Sequence, residues 1–279
     1  MKRLLCILCL FALLLAALAC AHVPANGGCR FYFLDVGQGD SLLIRTPSGD
    51  ILIDAGTESS EAQLCLRLEQ LGVTALRLAI FTHTDDDHIG GADAVLARFP
   101  AQEIWLSAAP LENEAAERLL NAALATNAKV CRVGVGTVLT FDNIAVSVLA
   151  PFGELSDSGN ENSLILRVQH GEVVAMITGD ADSKAEAELI AQYGHSQLAC
   201  DLYKVGHHGS NTSSTWKFLQ AMQPTYAVIS CGAANSYGHP TGEVLARLEA
   251  AGAQVLRTDL CGEIVFESNG QALVCLSHP

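Results

Sequence analysis

Phe81-Thr82-His83-Thr84-Asp85-Asp86-Asp87-His88-Ile89-Gly90-Gly91 places two histidines and three aspartates within six positions, directly after the apolar run 76–81. Without a cation such a cluster repels itself, because close carboxylates disfavour one another's charge. Imidazoles and carboxylates converging where a strand ends suit a pair of divalent metal ions. The run 76–81 reads as the strand that delivers the loop, and residues 91–99 as a helix that follows it.

Working outward, strand-like runs at 30–36, 41–46 and 51–55 precede the loop, separated by turns at 37–40 and 47–50. Residues 58–71 carry Leu64, Leu68 and Leu71 on one helical face. Beyond the loop, a strand at 104–107, a helix at 111–126 and a strand at 129–133 close a first half. Strands through 138–149, a loop at 152–162 and strands at 163–169 and 172–177 open a second half. A helix at 182–193, a strand at 201–205, helices at 213–222 and 241–250, a strand at 226–230 and three terminal strands complete it. Roughly a dozen strands with five or six helices, in this order, predict an α/β fold with two mixed sheets face to face and helices outside. No low-complexity stretch divides residues 30–279, which read as one domain after a linker at 22–29.

Half of the 279 residues are apolar and 16% are charged, which provides for a large core and excludes wholesale disorder. Residues 1–21 are an export signal: Lys2 and Arg3, then 15 apolar residues, then Ala19-Cys20-Ala21. The apolar run is short for a membrane span. Cleavage after Ala21 would free a soluble protein. Leu18-Ala19-Cys20 alternatively resembles a lipobox, with a lipidated Cys20 anchoring the chain to a membrane. Both readings, and an uncleaved anchor, put the folded part outside the cytoplasm, either extracellular or on the outer face of the membrane. Without Lys2 and Arg3 the 16 basic residues become 14 against 30 acids, a charge of −16. That surface lacks the basic footprint of a duplex-binding protein. Of the ten cysteines, Cys6 and Cys9 lie in the signal, and none of the remaining eight forms a C-x-x-C pair, which argues against a zinc ribbon or redox motif. Cys231 and Cys275 lie in apolar runs and read as small core residues.

Histidines and aspartates recur where strands end: His83, Asp85, Asp87 and His88 after Phe81, Asp180 after Ile177, and His207 and His208 after Val205. Positions 83, 85 and 87 can face one way and His88 another, so that two ions would share Asp180 and a bridging hydroxide. Asp54 is expected to orient the loop as a hydrogen-bond acceptor, and Asp35 and Asp40 to fix the glycine turn between them. Tyr237 and His239 lie in a Gly/Pro loop with no core role, and His239 is expected near substrate as an acid or phosphate contact. His22, His170, His195 and His278 read as surface residues.

His83-x-Asp85-x-Asp87-His88 resembles the H-x-[HD]-x-D-H signature of metallo-β-lactamase-fold hydrolases. The stretch from Phe33 to Ser41 (FLDVGQGDS), Asp54-Ala55-Gly56, Asn162-Ser163-Leu164, Thr178-Gly179-Asp180, Lys204-Val205-Gly206-His207-His208-Gly209-Ser210 and Tyr237-Gly238-His239-Pro240 together resemble the C-terminal hydrolase domain of ComEC-type DNA-uptake proteins. The resemblance implies an αβ/βα four-layer sandwich and two divalent ions, Zn²⁺ or Mn²⁺. His83 and Asp85 would hold the first, Asp87 and His88 the second, with Asp180 bridging. His207 or His208 completes the set, His207 being favoured as the first after its strand. Asn162 stands where metallo-β-lactamases usually have a third histidine, so one ion is expected to bind weakly; His170 is its rival. His208 and Asn162 are metal or substrate contacts, and Asp87 and His239 are expected to take part in the chemistry.

The implied activity is hydrolysis of a phosphodiester, in a small molecule or short single-stranded nucleic acid. The alternatives are a lactone or β-lactam hydrolase on the same site and a non-catalytic metal- or ligand-binding envelope module.

Overall fold

The computed structural model describes residues 27–153 and 160–277. The signal, Cys20, most of the linker, His22 and His278 lie outside the described residues. Among the described residues, fifteen strands form two sheets. The first holds β1 (Cys29–Phe33), β2 (Leu42–Thr46), β3 (Gly49–Ile53), β4 (Leu76–Phe81), β5 (Ala101–Ser107), β6 (Lys129–Val133), β14 (Ile264–Ser268) and β15 (Leu273–Cys275), in the order β15-β14-β1-β2-β3-β4-β5-β6. The second holds β7 (Val138–Phe141), β8 (Ile144–Ala150), β9 (Ile165–His170), β10 (Val173–Ile177), β11 (Leu202–Lys204), β12 (Tyr226–Ile229) and β13 (Gln254–Arg257), in the order β13-β12-β11-β10-β9-β8-β7.

Both sheets begin with antiparallel strands and continue in parallel, β3 to β6 in one and β10 to β13 in the other. Parallel pairing needs crossovers, and each carries a helix: Glu61–Gln70, Ala92–Arg98 and Glu114–Ala125 in the first sheet, Ser183–Leu198, Trp216–Met222 and Gly242–Ala250 in the second. Covered on both faces, the central strands read as near-continuous apolar runs. In β1, Phe31 and Phe33 face the second sheet while Tyr32 faces the helices; in β10, Ala175 and Ile177 face the first sheet while Val174 and Met176 face the helices. Three apolar layers thus separate helices, sheet, sheet and helices, which is the αβ/βα four-layer sandwich anticipated from the sequence.

Several details depart from expectation. The first helix is split into a 3-10 turn, Glu58–Ser60, and an α-helix, Glu61–Gln70. The helix after β10 runs to Leu198 with a break at Gly194, whose φ of 66° is outside the helical region. Strand β1 starts at Cys29, inside the expected linker. His170 is buried, not at the surface: it ends β9 with Nδ1 2.8 Å from Ser268 Oγ and Nε2 3.0 Å from Gly27 O. Cys231 is buried as expected and Cys275 half-buried; all seven described cysteines are free thiols.

Candidate metal centre

The parallel order brings the carboxyl ends of β3, β4, β10, β11 and β12 to one edge, where crevices of α/β sheets take ligands. Asp54 follows β3 with φ 60°, and His207 and His208 follow β11 with φ 48° and 51°. Non-glycine residues in the left-handed region are uncommon, and holding them there costs free energy that the surrounding structure must offset. After β4 the chain bends at Asp85 into the short helix Asp86–Ile89, so Asp87 and His88 leave one helical turn while His83 precedes it. The turn is seated against the Gly37–Asp40 loop: Asp40 N donates to Asp87 O at 3.0 Å. A Cβ on Gly39 would lie 2.5 Å from that same oxygen, so only glycine permits the approach.

His83, His88 and His208 are buried, and their Nε2 atoms converge on the buried Asp180. His88 Nε2 lies 3.1 Å from Asp180 Oδ1, and His208 Nε2 and His83 Nε2 lie 3.6 and 3.9 Å from Oδ2. His208 Nε2 is also 3.1 Å from Asp87 Oδ2, and His83 Nε2 is 3.6 Å from Asp85 Oδ2. Potential ligand atoms of His83, His88 and Asp180 all fall within 4.8 Å of one another, as do those of Asp87, His88 and His208.

The opposite ring nitrogens are tied down. His88 Nδ1 is 2.8 Å from Asp54 Oδ2 and His208 Nδ1 is 2.9 Å from Ser230 O. The Thr82 hydroxyl donates to Asp54 Oδ2 at 2.8 Å and therefore accepts from His83 Nδ1 at 3.1 Å. With Nδ1 fixed, each Nε2 faces inward, and none of the three, nor Asp180 Oδ1, has a hydrogen-bond partner although all are buried. Buried polar atoms are rarely left so. A cation bound by these atoms resolves the anomaly, and outer partners that hold imidazoles in this way are the usual companions of metal-ligating histidines. The residues fit divalent metal.

The electrostatics agree. Burial would lower His208, but Asp180 and Asp40 lift it to about 10; burial would likewise lower His88, which Asp180 and Asp54 hold well above its ordinary value. Burial would raise Asp180, yet His88 and His208 hold it well below the ordinary carboxylate range. The carboxylates thus favour positive charge in this space, as they would a bound cation. At the rim, burial and the neighbouring His207 and His208 push His239 down.

Of the other anticipated residues, Asp85 caps the short helix by position and is half exposed. Asn162 is buried in the 3-10 turn Asn160–Asn162, two residues before Leu164, whose N–H bonds Thr82 O at 2.8 Å. His207 stands at the rim, its Nε2 3.7 Å from Asp180 Oδ2 and its ring 5.6 Å from that of His239. Tyr237 stacks on His239 at 5.9 Å, 68% exposed, and lines with Gln38, Asp85, Asp86, Asp87 and Asn113 a cleft of about 540 Å³.

The sequence reading passed over Lys204. It is fully buried, with Nζ 2.7 Å from Asp40 Oδ2, and Asp40 lies behind His208 rather than merely stiffening a turn. The signal was available: Lys204 is the one charged residue in the apolar stretch 202–205, and a buried lysine requires a partner.

Comparison with known proteins accords with this geometry. Residues 34–129 match the model of the metallo-beta-lactamase superfamily. The chain is 36% identical over 233 residues to competence protein ComA of Neisseria gonorrhoeae, an alignment covering 83% of this chain and 31% of the relative. It is 32% identical over 251 residues to ComE operon protein 3 of Bacillus subtilis, covering 84% and 32%. The chain thus spans about a third of the length of these curated relatives. Among solved structures, the metallo-beta-lactamase fold protein YhfI of Bacillus subtilis superposes with a TM-score of 0.59 at 12% identity, covering 86% of this chain and 99% of YhfI. The fold, the converging histidine and aspartate atoms and these relatives together make the chain a metallo-β-lactamase-fold protein, similar to part of the competence proteins.

Proposed function

We propose that the chain is a phosphodiesterase acting outside the cytoplasm on short single-stranded nucleic acid or a small phosphodiester. The observation that carries this reading is the convergence of three unpartnered Nε2 atoms on Asp180. His83, Asp85 and Asp180 would hold one ion, and Asp87, His88 and His208 a second, with Asp180 between them. His208 takes the place that the sequence reading favoured for His207, because His208 is buried beside Asp87 while His207 stands at the rim. Asn162 stays a candidate contact to the first ion. When bound, the ions supply Lewis acidity toward the phosphoryl oxygens and an activated water.

The chain's own groups do the rest. Asp54, Thr82 and Ser230 fix the imidazole orientations. His207 and His239 face the open side, where a phosphodiester would enter, and the neutral His239 ring offers a hydrogen bond to its oxygens. Tyr237 presents an exposed ring on which a nucleobase can stack, which favours a nucleotide substrate over a simple headgroup. The name of the Neisseria gonorrhoeae relative, which ties it to competence, supports nucleic acid as the substrate class. The net charge of −14 counts against long duplexes, whose binding draws on basic surface. Export, with or without a lipid on Cys20, rests on the sequence of residues 1–21.

The test is a panel of single-stranded DNA, duplex DNA, nucleotides, bis-p-nitrophenyl phosphate, a lactone and a β-lactam, with added Mn²⁺ or Zn²⁺. Hydrolysis of phosphodiesters, lost in His88→Ala and Asp180→Ala with the fold retained, is expected. Turnover confined to the lactone or β-lactam overturns the reading. Absence of any bound or activating metal would favour the non-catalytic module.

A further inference from the structure

We infer that the buried Asp40–Lys204 pair is a positioning clamp that joins the two halves of the centre and sets the Asp87–His88–His208 ion position selectively. The inference rests on the metal reading above. Asp40 touches every member of that position: its main-chain N–H bonds Asp87 O at 3.0 Å, its Oδ1 lies 3.3 Å from His208 Nδ1, and its Oδ2 lies 4.0 Å from His88 Nδ1. It makes no such set of contacts to His83 or Asp85. Asp40 comes from the loop before β2 in the first sheet, whereas Lys204 ends β11 in the second. The ion pair at 2.7 Å therefore spans the same gap that the ligands span. Lys204 Nζ also donates to Val205 O at 2.9 Å, which anchors the ammonium to the strand end that leads to His208.

Physical necessity explains the pairing. A carboxylate alone at this depth would be costly, and one added to a centre already rich in carboxylates would alter its charge. Lys204 cancels that charge while leaving Asp40 in place behind both imidazoles. Asp40 Oδ1 is itself buried without an aligned donor, so its contribution to His208 is electrostatic and directional and adds no hydrogen bond to the one His208 already gives Ser230.

The test measures Mn²⁺ and Zn²⁺ stoichiometry and affinity calorimetrically, with melting in chelator as the second readout. In Asp40→Asn and Lys204→Met the second ion should bind at least about 10-fold more weakly, the loss typical when an outer partner of a metal ligand is removed, while the first ion is retained. The double variant restores charge balance. Its metal-free melting temperature should recover above that of the Lys204→Met single variant, yet the second ion should stay weak because the carboxylate behind the rings is gone. Two ions bound with wild-type affinity in Asp40→Asn, or equal weakening of both, overturns the clamp. Should Lys204→Met fail to fold, the near-isosteric Asp40→Asn decides alone. Wild-type protein that binds no divalent ion overturns the metal reading and the clamp together; two-ion binding by wild type and variants alike overturns the clamp only.

Discussion

Asp54 illustrates how much of this centre depends on single side chains outside the ligand set. Its carboxylate receives Thr82 N–H, the Thr82 hydroxyl and His88 Nδ1, each at 2.8 Å. Asp54→Ala should therefore weaken metal binding by about 10–100-fold, read calorimetrically, without removing a ligand. At the rim, Tyr237→Ala is expected to raise KM for single-stranded oligonucleotides about 5-fold or more, since stacking on an aromatic ring contributes ~1–3 kcal/mol per base. The same variant should leave turnover of a methyl phosphodiester unchanged; equal loss on both substrates would remove Tyr237 from base recognition. The clustering of the candidate histidines and aspartates was legible because they sit in short, dense motifs after apolar runs. Which of His207 and His208 is buried was not, because both follow one strand and only backbone geometry turns one inward. Asp40 and Lys204 escaped for another reason: their pairing joins positions far apart in the chain, and nothing local in either marks the partner.

At the level of elements, the loop Gly37–Asp40 and the turn Asp86–Ile89 are mutually dependent. Gly39→Ala combines φ 147° with a Cβ 2.5 Å from Asp87 O, so it must displace the turn that carries two candidate ligands. A loss of about 2 kcal/mol or more in denaturant unfolding is expected, together with weakened metal binding. Between the sheets, Phe266 of β14 meets Phe33 of β1 at 6.1 Å and Tyr226 of β12 at 5.0 Å, edge to face. Phe266→Ala should cost ~3–5 kcal/mol by the same measurement. The long strands and helices were readable because both-face burial and helical periodicity leave strong patterns. The four-residue helix Asp86–Ile89 was not, since a single turn shows no period, and its conformation is imposed by the packing of Gly39 beneath it. Likewise, His170 resembled a hairpin-turn residue, and its burial follows from a partner, Ser268, on the other sheet.

For the molecule as a whole, metal and proton compete for one buried space. The lift of His208 from its ordinary value to about 10 stabilises the metal-free fold fully below pH ~6.5. That contribution disappears as pH rises toward 10, because the folded state then surrenders a proton that the unfolded state has already lost. Chelator-treated protein should accordingly melt at falling temperature between pH 7 and 10, while the metal-loaded form, whose imidazoles are neutral ligands, should not share that decline. Metal uptake at pH 7 should release protons, detected as a binding enthalpy that varies with the buffer's ionisation enthalpy. Parallel pH curves for loaded and chelated protein would contradict the competition.

The placement of β14 beside β1 has a consequence for how the chain becomes a protein. Residues 29–33 are made before residues 264–268, which pair their outer edge. Until then the first sheet has an open side, and Phe266 is missing from the space between the sheets. The packing between the sheets is therefore complete only with residues 264–268 in place. A chain ending before residue 264 would carry all the candidate ligand residues in a body whose first sheet is still unfinished.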